Sequence, residues 1–246
     1  MIKIILSGCN GRMGQAVAQL VETDPGAKIV CGVDTHNSIA NAPADADVIV
    51  DFSHPSALPS LLAFGKAHKI PLVLATTGYS VRDTETIRQA SNSVPILHSA
   101  TMSLGINILL NLAGQVAKIL SDGFDVEIIE KHHNKKVDAP SGVALTIADT
   151  ISNALPFPGE YVYDRHSTRK PRGQHEIGIS SIRGGTIVGD HSVIFAGNDE
   201  ILEITHHAAG REIFAAGALH AAKFLAGKPC GLYSMQDAIK LPMPRD

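Results

Sequence analysis

The stretch IKIILSGCNGRMG, residues 2–14, decides the fold. Its opening is a short, isoleucine-rich apolar run bounded by glycine, which reads as a buried β-strand, Ile2–Leu6. Gly8, Gly11 and Gly14 then form G-x-x-G-x-x-G, where G-x-G-x-x-G is the commoner spacing. The physics is shared: glycine lets the backbone turn sharply and approach a pyrophosphate, while a helix N-terminus supplies free N–H groups. A helix is predicted over Gly11–Thr23, with Met13, Val17, Leu20 and Val21 at helical spacing. A second strand, Lys28–Val33, runs into Asp34, 20 residues past Gly14. A carboxylate in that place accepts hydrogen bonds from an adenosine ribose. Strand, glycine turn, helix, strand and acid in this order predict a dinucleotide-binding βαβ unit. The plainer reading is a glycine turn that serves only helix–strand packing.

Asp34 also bears on cofactor choice, because its charge repels a 2′-phosphate. NADH is therefore favoured. Arg12 pulls towards NADPH, since it could reach that phosphate, but Thr35 and His36 stand where an NADP-selective site more often carries arginine. The expected cofactor is NADH, with NADPH left open.

Outward from this stretch the alternation continues. Val48–Phe52, Pro71–Thr76 and Val94–His98 read as strands; Pro55–His68 and Val81–Asn92 read as helices. Strands alternating with helices predict a doubly wound parallel sheet, the Rossmann-like class of α/β fold. The pattern changes near Ser103. A long helix over Gly105–Leu120 precedes a strand, Val126–Glu130, and a helix starting near Gly142. IGISSIR (177–183), TIVGDHSVIFAG (186–197) and ILEITH (201–206) follow with no helix between them. Glycine-rich turns separate these runs, so antiparallel strands are expected. A helix over Arg211–Ala226 closes the pattern. The expected organisation is a dinucleotide-binding domain, 1–102 with 211–246, and a central α+β domain with a mostly antiparallel sheet, 103–210, for substrate binding and oligomerisation.

Composition narrows the classes. Of 246 residues, 44% are hydrophobic and the net charge is only -3, which excludes wholesale disorder and a dedicated nucleic-acid binder. Cys9, Cys31 and Cys230 form neither a metal spacing nor a disulfide framework, as expected in a reducing compartment. The N-terminus lacks a signal-peptide core and no apolar run is long enough to span a membrane, so a cytoplasmic protein is expected. Arg165, Arg169, Lys170 and Arg172 form a basic stretch, read as a solvated loop or an anion contact.

The densest chemistry lies in EIIEKHHNKKVDAPSGVA, residues 127–144. Ser141 before an apolar helix reads as an N-cap, which turns the N–H groups of Gly142 and Val143 outward for a carboxylate. Lys136 and a protonated histidine would neutralise a second carboxylate. A histidine at the mouth of such a cradle suits proton donation, because its ordinary pKa lies near neutrality. On this segment alone a merely solvated loop stays open. A metal site is a poor reading, since adjacent histidines on a strand point to opposite faces and lack i,i+4 spacing. No serine-hydrolase elbow occurs. His206 and His207 read as strand-end surface residues.

The pattern E-I-x-E-x-H-x-x-x-K-x-D-x-P-S-G over 127–142 resembles the signature of the 4-hydroxy-tetrahydrodipicolinate (dihydrodipicolinate) reductases of lysine biosynthesis. GCNGRMG (8–14), VDFSHP (50–55), ATTG (75–78) and LEITHHAAGR (202–211) extend the likeness almost end to end. The resemblance implies reduction of a cyclic unsaturated dicarboxylate by NADH or NADPH. It implies His132 as the acid/base residue and Lys136 as a second proton donor, with His133, Ser141, Gly142 and Val143 at the substrate. It implies Gly8, Cys9, Asn10, Gly11, Arg12 and Met13 around the pyrophosphate and Asp34 on the ribose. Ala75, Thr76, Thr77, Ser99, Ala100, Thr101 and Met102 would line the cofactor cleft, with Arg211 and Phe214 nearby. It also implies a homotetramer assembled through the central sheet, and no metal.

Some positions depart from that pattern. Val143 stands where the family usually has threonine; the lost hydroxyl weakens carboxylate binding by roughly 0.5–1.5 kcal/mol. Thr35 replaces an arginine found in some members, Met102 an aromatic and Ala75 a glycine. Two other functions fit parts of the chain. Another amino-acid dehydrogenase would share the glycine loop but has no use for the His–Lys segment. A non-catalytic NAD-binding relative has Val143 in its favour and His132 with Lys136 against it.

Overall fold

The computed structural model describes residues 1–99 and 101–239. The chain forms two compact units, Met1–Leu104 with the residues from Arg211 onward, and Gly105–Gly210. In chain order the elements begin with β1 (Ile2–Ser7), α1 (Arg12–Glu22), β2 (Ala27–Val33), β3 (Val48–Asp51), α2 (Leu58–His68), β4 (Leu72–Leu74), α3 (Val81–Ala90) and β5 (Pro95–His98). They continue with α4 (Leu104–Ile119), β6 (Asp125–His132), α5 (Gly142–Ala154), β7 (Glu160–Val162), β8 (Glu176–Arg183), β9 (Asp190–Ala196) and β10 (Ile201–His207). The last are α6 (Glu212–Leu225), β11 (Gly231–Tyr233) and α7 (Met235–Ala238).

The first unit is a doubly wound parallel sheet in the order β11-β5-β4-β3-β1-β2. Its strands are apolar on both faces because both faces are covered. Ile4 and Leu6 of β1 enter one core with α1 and α6, while Ile5 enters the other with α2 and α3. Val48, Val50 and Ile49 of β3 divide the same way. The strand order reverses at β1, which has β2 on one side and β3 on the other. In such sheets ligands bind beyond the carboxyl ends of the strands at this reversal. β11 is an addition to the expected strands; three residues after the closing helix carry too little pattern to announce it.

The second unit pairs its strands in the order β10-β9-β6-β8-β7. β9 runs antiparallel to β6 and β10, over seven residue pairs each; β8 runs parallel to β6 and to the short β7. The sheet is therefore mixed, with antiparallel pairing the larger share. β8 and β9 run in opposite directions as expected, but they are not a hairpin. They flank β6. The chain leaves β8 at Arg183 and crosses the end of β6, where Gly184 N–H donates to the His132 carbonyl (2.9 Å) and Asn134 N–H to that of Gly185 (3.3 Å). α4 and α5 cover one face: Ile106, Leu109, Ile147 and Ile151 pack on Val126, Ile128, Ile179 and Phe195.

The basic stretch is neither free in solvent nor an open anion site at its two ends. Arg165 pairs with Glu127 (2.6 Å) and Glu176, and Arg172 with Asp125 and the carbonyls of Val126 (3.2 Å) and Glu176 (2.7 Å). Arg169 and Lys170 are exposed.

Candidate active site

In the first unit, Gly8 sits at φ +77°, where a Cβ would lie 2.6 Å from the Phe52 carbonyl oxygen. A Cβ on Gly14 would lie 2.2 Å from the Gly8 carbonyl oxygen. Only glycine permits this closeness of β1, β3 and the start of α1. Gly11 caps α1 and offers no side-chain bond, so the first N–H groups of the helix, from Arg12 and Met13, stay available to an anion. These features fit a dinucleotide pyrophosphate. Cys9 turns its sulfur towards Gly32, and burial, then the Asp34 charge, pushes its thiol pKa up. It stays protonated and serves as packing.

Asp34 follows β2 directly. Its carboxylate accepts from the Asn10 side-chain amide and from His36 N–H (2.7 Å), while its own N–H donates to the Asn37 side chain (2.7 Å). The acid is held in place before any ligand arrives, and Asn10 is part of its clamp. Asp51, fully buried at the end of β3, accepts from the hydroxyls of Ser53 (2.5 Å), Thr76 (2.6 Å) and Tyr79 (3.3 Å). Thr76 is thus turned inward, whereas Ala75 is half-buried and Thr77 exposed. Ser99 donates to the Thr101 carbonyl (3.0 Å). Met102 is buried in the core with Ala215 and Ala218, and its carbonyl lies against Gly217, so its side chain is packing. Arg211 caps α6 from an exposed position, and Phe214 packs on the core. Ala100 lies outside the described residues.

In the second unit, β6 alternates without interruption: Val126, Ile128, Glu130 and His132 are buried and their neighbours are not. The first two meet apolar side chains and the last two form a polar extension of the same row. His132 Nδ1 lies 2.6 Å from Glu130 Oε2. Arg183 forks onto the same carboxylate, Nη1 to Oε2 (2.8 Å) and Nη2 to Oε1 (2.7 Å). Ser141 N–H also donates to Oε1 (3.1 Å). Burial by itself would raise the Glu130 pKa, but the bonds from Arg183 and His132 outweigh it and hold the acid at about 2.

Ser141 is the N-cap of α5, accepting from Ala144 N–H (3.1 Å), and its hydroxyl also meets His191 Nε2 at 3.0 Å. The His191 ring stands edge-on to that of His132, with centroids 5.3 Å apart. Burial, then the proximity of His132, pushes His191 down to about 4, so it is neutral at neutral pH. Gly142 is exposed and Val143 half-buried against the apolar core, which leaves backbone N–H groups as what this helix start can present. Lys136 reaches back to Asp138 (2.8 Å), and Arg183 also donates to the Asp138 carbonyl (2.6 Å). His133, one residue past β6, is half-buried.

The expected substrate residues His132, His133, Lys136, Ser141, Gly142 and Val143 thus gather at one end of β6 and the start of α5. Glu130, Arg183 and His191 belong to the same cluster and were not expected there. Glu130 had a signal: it stands two residues before His132 on a strand, hence on the same face. Arg183 and His191 had none, because the pairing of β8 and β9 with β6 is not local. His206 is not a free surface residue but half-buried, its ring filling the space beside Gly105; His207 is exposed and pairs with Asp190 (3.1 Å).

Residues 2–102 match the family described as dihydrodipicolinate reductase, N-terminus, and residues 105–239 match dihydrodipicolinate reductase, C-terminus. A 4-hydroxy-tetrahydrodipicolinate reductase of Caldanaerobacter subterraneus subsp. tengcongensis is 49% identical over 98% of this chain and 99% of its own. One from Clostridium novyi is 46% identical over the same shares. Among solved structures, a dipicolinate-bound dihydrodipicolinate reductase from Paenisporosarcina sp. TG-14 superposes with a TM-score of 0.79 at 21% identity, over 97% of this chain and 99% of that one, which is a likeness of fold.

Proposed function

The chain belongs to the dihydrodipicolinate reductase family, and from that membership we propose which of its side chains carry the reaction. The reaction is reduction of 4-hydroxy-tetrahydrodipicolinate to tetrahydrodipicolinate with a nicotinamide cofactor, in lysine and diaminopimelate biosynthesis. When bound, the nicotinamide supplies the hydride. Residues 1–102 with 211–246 are assigned to the cofactor and 103–210 to the substrate and to assembly.

Gly8, Cys9, Asn10, Gly11, Arg12 and Met13 form the loop around the pyrophosphate, with the N–H groups of Arg12 and Met13 donating to it while those of Gly8 and Cys9 stay on the Val33 carbonyl and that of Gly11 on the Gly8 carbonyl, and Asp34 takes the adenosine ribose. The clamped carboxylate of Asp34 favours NADH over NADPH. Ala75, Thr77, Ser99, Thr101 and the backbone of Met102 line the nicotinamide side, with Ala100, Arg211 and Phe214 in the same role and Thr76 fixing the loop through Asp51.

For the substrate, the N–H groups of Gly142 and Val143 at the Ser141 cap receive one carboxylate. Lys136 and His133 meet the other; Asp138 uses one of three ammonium donors and leaves two. His132 transfers the proton. The observation that carries this reading is the convergence of His132, Lys136 and the α5 N-terminus at the end of β6: an acid, a cation and a helix dipole suit a dianion that gains a proton. Ile129, Ile182 and Ile194 of the second sheet stand outside its apolar core, which supports assembly as a homotetramer through that face. Three unpaired cysteines support a cytoplasmic location. Among the described residues no helix is long and apolar enough to cross a membrane.

A coupled assay tests the reading. The upstream synthase generates the unstable substrate from pyruvate and aspartate semialdehyde, and loss of NADH or NADPH absorbance is followed in parallel. Substrate-dependent oxidation, faster with NADH, is expected. Equal or faster NADPH oxidation overturns the role given to Asp34, and no oxidation by protein that still binds NADH overturns the assignment of the reacting side chains.

A further inference from the structure

We infer that Glu130 is the positioning residue of the reaction: its carboxylate holds the Nδ1–H of His132, so that Nε2 is the atom that gives up the proton. The inference rests on His132 being the proton donor. The geometry leaves little choice of hydrogen. Glu130 is 0% exposed, and a lone buried carboxylate would neutralise itself. Arg183 forks onto both of its oxygens and Ser141 N–H joins at Oε1, so the acid remains ionised and can only accept. Nδ1 of His132, 2.6 Å from Oε2, must then be the donor. Neutral His132 carries its hydrogen on Nδ1 and a lone pair on Nε2; the imidazolium carries both.

In the step itself the Nε2–H bond of the imidazolium breaks and its proton goes to the substrate, while the hydride comes from the nicotinamide. The ring keeps Nδ1–H and Glu130 keeps its charge. Nε2 has room because residue 189 is glycine, where a Cβ would stand 3.0 Å from it. The charged and titratable groups around the ring are Glu130 on β6, Arg183 on β8, His191 and Asp190 on β9, and the Lys136–Asp138 pair of the following loop; α5 contributes the uncharged Ser141. Glu130 also ties three parts of the site together: the acid, the helix start through Ser141, and the lysine loop through the bond from Arg183 to the Asp138 carbonyl.

Glu130→Gln is the informative change, because a glutamine cannot accept from Arg183, Ser141 N–H, His132 and the Ser181 hydroxyl together. Its NH2 group at the Oε1 position would face both Arg183 and Ser141 N–H; at Oε2 it faces only one arginine nitrogen and can donate to His132. The second placement is favoured, and it forces neutral His132 into the Nε2–H tautomer. The experiment is 15N NMR of histidine-labelled full-length protein, wild type and Glu130→Gln, with His132→Gln to identify the resonance, alongside kcat, KM and their pH profiles. We expect a wild-type neutral tautomer with hydrogen on Nδ1 and its reversal in Glu130→Gln. We also expect kcat lowered roughly 100-fold or more with NADH affinity unchanged, and the alkaline limb of kcat displaced to lower pH. A wild-type Nε2–H tautomer overturns the proposal, and needs no variant to fold. An unchanged tautomer and pH limb in Glu130→Gln also overturns it, even if stability falls, since a purely structural staple would behave so. His132→Gln separates the two levels. Full turnover there removes the proton-donor reading, whereas loss there with an active Glu130→Gln removes only the role of Glu130.

Discussion

His132 ends β6 with Nδ1 committed to Glu130, which leaves one ring nitrogen for exchange with a ligand. Replacing it by glutamine keeps a side chain of similar reach and removes the transferable proton. His132→Gln is expected to lower kcat by roughly 100- to 10,000-fold, the usual worth of general acid catalysis, while NADH affinity measured by fluorescence stays as in the wild type. Equal loss of both would put the residue in cofactor binding instead. Lys136 differs in kind. Its ammonium is exchangeable between Asp138 and a ligand carboxylate, so Lys136→Ala is expected to raise the substrate KM about tenfold or more, as for loss of a charge-assisted hydrogen bond, with a smaller change in kcat. Kinetics left untouched would point to Lys135 as the cation.

The elements behind these residues were legible to different depths. The parallel sheet was readable because β1, β3, β4 and β5 bury both faces and alternate with helices, a pattern written in consecutive residues. The pairing of β8 was not. Its partner β6 lies far back in the chain, and the Gly184-Gly185 pair that reads as a hairpin turn instead carries the chain over the end of β6. That crossing also delivers Arg183 and His191 to the site, so both escaped a local reading while His132, Lys136 and Ser141 did not. The cap of α5 shows how the elements share the work. Ser141 Oγ satisfies Ala144 N–H and His191 Nε2 together, and His191 Nδ1 has no hydrogen-bond partner among the described residues. Ser141→Ala therefore removes an N-cap, at about 1 kcal/mol, and strands a buried ring nitrogen, at about 1–3 kcal/mol. Urea unfolding is expected to show a loss of roughly 2 kcal/mol or more, with Ser141→Thr close to wild type. A loss in Ser141→Ala no larger than an exposed cap gives would mean that the His191 contact contributes nothing.

Taken over the whole chain, buried titrating groups set a pH dependence that family membership alone does not announce. His191 is pushed to about 4 from an ordinary 6.5, and burial also lowers His206 and His98. For a histidine depressed in this way the unfolded chain binds the proton more readily, so the stability it permits is complete above about pH 6.5 and falls as pH drops towards the folded value. For His191 the loss by about pH 4 is of the order of 3 kcal/mol. Glu130 acts in the next window. Its folded pKa of about 2 lies below its ordinary 4.5, so its contribution is present above 4.5 and is lost as pH falls from 4.5 towards 2. The two windows adjoin, and the urea midpoint is expected to stay level near neutral pH, to decline from about pH 6.5 and to go on declining into strong acid without a plateau. His191→Gln cannot gain a proton and should flatten the upper part of that decline while leaving the lower part, where Glu130 titrates. A midpoint that holds steady between about pH 7 and pH 5 in the wild type would show that the buried histidines are not held neutral, and the packing of His191 against His132 and Ser141 would then need another account.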